Sequence, residues 1–175
     1  MLGLLGPDLS VAAQDAQACV AIADPGARLA CYDALFATAP RGEADQAVIA
    51  SQNLIPARPG GREPATMTVR CSSGALTVAF GFAGQLVSST GSSAPVTLQT
   101  DLSPARSRLL AAAPDNLSLQ IADPVEAAAF LSSLQGWSRL TVRMTPVNQR
   151  SVSVNFDLLE AESQLAPVRQ ACGIN

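Results

Sequence analysis

From Thr66 onward the chain alternates apolar and polar residues again and again, and this period of two constrains the fold more than any other feature. Met67, Val69 and Cys71 alternate with Thr68 and Arg70. Leu76, Val78, Phe80 and Phe82 follow, then Val96 and Leu98, then Leu117, Leu119 and Ile121. Leu140, Val142 and Met144 come next, and Val152, Val154 and Phe156 close the series. Successive side chains on a strand point to opposite faces, so such segments are half-buried strands of an antiparallel sheet. Ser72-Ser73-Gly74 supplies a tight turn between the first two. Two helices interrupt the strands. Asp123-Pro124 is a cap followed by a proline suited to the first helical position, and it opens a helix over Val125–Leu134 that Gly136 ends. Residues 158–171 form the last helix, with Leu159, Leu165 and Val168 as apolar positions and a kink expected at Pro167.

The chain before Thr66 reads differently. Alanine-rich residues 11–23 predict a first helix, and Asp24-Pro25 starts a second that runs through Arg28, Leu29, Cys31, Tyr32, Leu35 and Phe36. Leu29, Tyr32 and Phe36 make one apolar stripe. Between Pro40 and Pro64 this periodicity fades while prolines and glycines accumulate, which predicts a linker. Within it Val48–Leu54 fits a short strand or a helical turn. Ser88–Ala94 reads as a flexible polar loop. The expected fold is therefore α+β. Residues 1–40 make an N-terminal segment with a helical hairpin, and 41–65 a Pro/Gly-rich linker. Residues 66–175 make an antiparallel domain of about six strands with two packed helices.

The four cysteines are Cys19, Cys31, Cys71 and Cys172. Zinc sites use close pairs, so this wide spacing predicts no metal site and favours disulfides over buried free thiols. Spacing alone leaves all three pairings open. The predicted elements narrow the choice: Cys19–Cys31 would staple the small hairpin. Cys71 lies on the inward series of its strand and Cys172 ends the last helix, so a second bridge would tie that helix to the sheet. Disulfides imply an oxidising compartment. Residues 1–18 hold the short apolar piece Leu2-Gly3-Leu4-Leu5 and several alanines but no basic residue, which fits either a signal-peptide remnant or an irregular start. No run is long enough for a membrane helix.

Composition narrows the chemistry. The chain has no histidine, and all eleven basic residues are arginine. Imidazole is the usual base and metal ligand near neutral pH, and lysine the usual Schiff-base amine, so the common catalytic sets and cofactor anchors are missing. Arginine stays protonated and cannot act as a base. We therefore expect no catalytic residues and no cofactor. A net charge of −3 with scattered arginines argues against nucleic acid as a partner. Asp33, next to Cys31-Tyr32, fits a helix pair with Arg28 better than a lone catalytic acid, and Glu160 and Glu162 point in different directions. Arg70, Arg143 and Arg150 lie on the polar side of candidate strands and would form an anion-binding face if those strands were neighbours. Trp137, at a helix-to-strand corner, reads as a wedge packing the helix onto the sheet.

Several blocks together resemble a known family. Cys19-x-Ala21-Ile22-x-Asp24 followed by Arg28-Leu29-Ala30-Cys31-Tyr32-Asp33 is similar to the N-terminal signature of the type VI secretion-associated VasI/TagO-type accessory proteins. Thr68-Val69-Arg70-Cys71, Leu140 to Pro146, Asn155-Phe156-Asp157-Leu158 and Val168 to Gly173 keep the same order. The family's acidic Asp-Asp motif has no counterpart, and Val147 stands where an aromatic residue often follows Thr-Pro. The resemblance implies a periplasmic accessory protein of a Gram-negative envelope, near a contractile secretion machine, with no catalytic residues. The expected function is non-enzymatic binding of another envelope protein, probed against two alternatives: an inhibitor or immunity-type protein, and a carboxylate-based glycan-acting enzyme.

Overall fold

All six alternating segments form strands, and two further strands join them. The computed structural model describes residues 19–37 and 45–174. The chain divides into two compact units, Met1–Gly42 and Glu43–Asn175. In the first, α1 (Pro25–Ala37) begins where Asp24 accepts the Ala27 N–H at 2.7 Å, and Cys19 is bonded to Cys31 with their Cα atoms 5.6 Å apart. Leu29, expected on an apolar face, is exposed. Residues 11–18 of the expected first helix and the side chains of Tyr32, Asp33, Leu35 and Phe36 lie outside the described residues.

The second unit is α+β, with one antiparallel sheet of eight strands. They are β1 (Gln46–Pro56), β2 (Arg62–Ser72), β3 (Ala75–Gly81), β4 (Ser93–Thr100), β5 (Arg106–Ala112), β6 (Ser118–Ile121), β7 (Arg139–Met144) and β8 (Val152–Asp157). Two helices complete it, α2 (Pro124–Ser133) and α3 (Leu158–Ala171). The sheet order is β1-β2-β3-β6-β5-β4-β7-β8. The expectation of about six strands missed β5 and left β1 open, as a short strand or a helical turn over Val48–Leu54. Most of the segment expected as a linker over 41–65 is in fact strand: β1 and the start of β2 occupy it, because Ala47, Ile49 and Ile55 bury a face there.

The alternating residues point inward, as their period requires. Met67, Val69, Val78, Phe80, Val142, Val154 and Phe156 are fully buried, and Phe80 meets Phe156 and, edge-on, Phe130 of α2. Burying such side chains stabilises by roughly 1.5–3 kcal/mol each, which is why this face sets the strand register. The α2 helix packs against β3 and β6, and α3 against β1 and β2. Asp123 caps α2 by accepting the Glu126 N–H at 2.8 Å, and Asp157 caps α3. The α3 helix runs through Pro167 and ends where Gly173 (φ 66°) lets Ile174 N–H reach the Arg169 carbonyl. That ending leaves Cys172 against Cys71 of β2, bonded with Cα atoms 5.7 Å apart.

The sheet curls until it nearly closes. Across the seam Asn53 of β1 donates its Nδ2 to the Ser153 carbonyl and accepts the Asn155 N–H, both at 2.9 Å. Its amide thus does for β8 what a neighbouring peptide group would. Asn53 is free to do so because β1 bulges between Ala50 and Leu54. There the Ser51 hydroxyl accepts the Ala65 N–H and donates to the Asn53 carbonyl, so the bulged backbone is still satisfied.

Candidate binding site

The strand β5 breaks the inward-apolar rule. Arg106 and Arg108 share a face with buried Leu110, since they are separated from it by steps of two, while Leu109 points outward and is 71% exposed. Both guanidinium-bearing residues line a cavity of about 410 Å³ between β5, β4 and α2. Its walls are Leu98, Phe130, Leu134, Trp137 and Leu140. A pocket of a few hundred Å³ with apolar walls and few polar groups has the form of a binding site.

Each wall residue has a local cause. Leu98 and Leu140 come from the inward series of β4 and β7, whose register places Thr100 opposite Leu140. Phe130 lies on α2 and Leu134, one turn further, is its C-cap, and Gly136 (φ 80°) stands in the turn that leads to Trp137. Arg108 is ion-paired with Glu126 of α2. Arg106 is exposed, and no side-chain partner for it occurs among the described residues.

The rim is held by one carboxylate. Asp101, in the loop after β4, has φ 43° and accepts from both the N–H (3.1 Å) and the hydroxyl (2.8 Å) of Ser138. These bonds, the Ser138 N–H first, hold its carboxyl below the usual value of 3.8. Ser103 in the same loop bonds Thr100 and Gln99. The next residue after Asp101, Leu102, is 98% exposed, and Trp137 is 39% exposed. Trp137, at the expected helix-to-strand corner, also lines this cavity.

The arginines singled out from sequence do not converge. Arg70 on β2 gives its guanidinium to Gln46 Oε1 at 2.9 and 2.6 Å. Arg143 lies on β7, which is not a neighbour of β2, and Arg150 stands in the turn before β8. The condition for a face shared by all three is not met, because β2 is a neighbour of neither β7 nor β8, which pair with each other. Arg106 and Arg108 were missed. Their signal was two arginines on the parity of a leucine, which reads as a polar loop when an apolar inner face is assumed. The Ser88–Ala94 segment is also corrected: Asn116 accepts the Ser88 N–H (3.0 Å) and donates to its carbonyl (2.8 Å), pinning a loop expected to be flexible.

Among the described residues no group of three or more histidine, cysteine or acidic side chains could hold a metal ion. Glu162 pairs with Arg169. No described helix is long and apolar enough to cross a membrane. No family model, curated protein or solved structure matches this chain.

Proposed function

We propose that the chain is a non-catalytic accessory protein of an oxidising, extracytoplasmic compartment that works by binding another protein at the β5–α2 mouth. The observation that carries this reading is the apolar rim. Leu102 projects almost wholly into water from the loop between the cavity-lining Thr100 and Ser103, and Asp101 ties that loop to Ser138, the residue after the partly exposed Trp137. An exposed leucine on a hydrogen-bonded loop, bonded to the turn that carries a partly exposed tryptophan, has the composition of a contact surface rather than of a solvated loop. The two disulfides support the compartment. The missing histidine and lysine support a non-catalytic role. A periplasmic place beside a type VI secretion machine enters this reading on the residue resemblance alone.

A photo-crosslinking side chain placed at Leu102, in the bacterium that makes the protein, tests it. We expect one discrete envelope protein to be captured from Leu102 and not from Val48, an exposed residue on β1. Identical adducts from both positions, or none from Leu102, would overturn the reading. Capture of a sheath or baseplate component would support the secretion assignment, and capture of an enzyme the inhibitor alternative.

A further inference from the structure

We infer that the cavity between β5 and α2 takes a polypeptide segment that sets one carboxylate beside a large apolar side chain. This rests on the reading that the rim meets another protein and adds what that protein must present. Charge complementarity carries the first half. Two arginines face the cavity, and Glu126 neutralises Arg108 alone. What remains is a single positive charge at Arg106, fitted to one carboxylate rather than to a doubly charged phosphate. A guanidinium offers a planar pair of N–H donors that matches a carboxylate in two-point geometry. Beside it the walls are aliphatic and aromatic, so an apolar side chain attached near the carboxylate is desolvated in the same step.

The second half is the kind of molecule. A small amphiphile filling about 410 Å³ would leave Leu102 outside the cavity and still in water. A polypeptide continuing past the mouth covers it. The rim is preorganised for this, because the Asp101–Ser138 bonds join the loop bearing Leu102 to the turn bearing Trp137.

Trp137 is the only tryptophan of the chain and lines the cavity, so its emission reports occupancy without a label. The probes are short acetylated peptides carrying glutamate next to leucine or phenylalanine in either order, and twins with glutamine for glutamate. We expect saturable shifts of Trp137 emission with acidic peptides and binding about tenfold weaker or more for the twins. Arg106→Gln should erase that difference, and Arg106→Lys should keep part of it. Arg106 is exposed and has no side-chain partner among the described residues, so neither variant should disturb folding, which circular dichroism verifies. Equal binding of acidic and glutamine peptides, or an acidic preference that survives Arg106→Gln, overturns the inference. Dodecanoate binding where no peptide binds would assign the cavity to a small amphiphile and overturn it as well. If Leu102 still crosslinks one protein while the peptides fail, the occupant is wrong and the wider reading stands; if both fail, both fall.

Discussion

Asp101 shows how much one side chain can organise at the rim. Its positive φ is a conformation that aspartate and asparagine tolerate better than most residues, and it aims the carboxylate at the N–H and hydroxyl of Ser138. Because those bonds favour the ionised form, its folded pKa is lowered from 3.8. A lowered carboxyl pKa adds stability that is present above the unfolded value and is lost as pH falls through the folded one. Asp101→Asn keeps the backbone conformation but removes the charge. We therefore expect the wild type to melt above this variant at neutral pH, with the gap closing once pH drops below about 3.8. Thermal melts of both proteins across that range check it, and a gap that does not depend on pH contradicts it. The caps Asp24 and Asp123 were legible from sequence because a cap acts on N–H groups two or three residues away. The role of Asp101 was not, since its partner lies 37 residues further on.

At the scale of elements, the strands that sequence reading missed or left open are those whose inner face is not uniformly apolar. In β5 two arginines replace apolar residues on the inner face, and β1 is interrupted by its bulge. Both departures have a structural use: one lines the cavity and the other frees Asn53 to bridge the seam. Prolines in strands follow the same logic. Pro64 in β2 lies beyond its last β3 partner, and Pro95 in β4 beyond its last β7 partner, so neither costs a ladder bond on that side. The seam makes a sharp prediction. Asn53→Ala leaves the Ser153 carbonyl and the Asn155 N–H without their side-chain partner, and Asn155 is only partly exposed. The expected loss is about 1–3 kcal/mol, read as a lower urea midpoint. A variant as stable as the wild type would mean that the seam is held by other contacts.

For the whole molecule the decisive bonds are those between parts far apart in sequence. Cys71 and Cys172 are separated by 101 residues, so their bridge encloses everything from the end of β2 to the end of α3. In the chain-entropy model a loop of that size stabilises by about 4–5 kcal/mol. Replacing both cysteines by alanine should lower stability by about that much, measured by denaturant unfolding of the purified protein. Alkylation of the unreduced, unfolded wild type should label no thiol by intact mass; two labelled cysteines would contradict one bridge, and four would contradict both. The sequence by itself determined the antiparallel α+β class, six strands, the helix starts at Asp24 and Asp123 and the last helix, and it pointed to the two cysteine pairings. Each of these rests on local periodicity, on capping, or on which element end carries a thiol. Only the tertiary structure decided the strand order, the near-closed seam and the cavity. Those depend on which strands become neighbours, and neighbour choice is a long-range packing matter that a period of two does not encode. The cysteines show the division clearly: the pairing followed from the elements, but only the assembled sheet shows that β2 and the end of α3 meet. That order also parts Arg70 from Arg143 and sets Arg106 and Arg108 along the cavity beside α2.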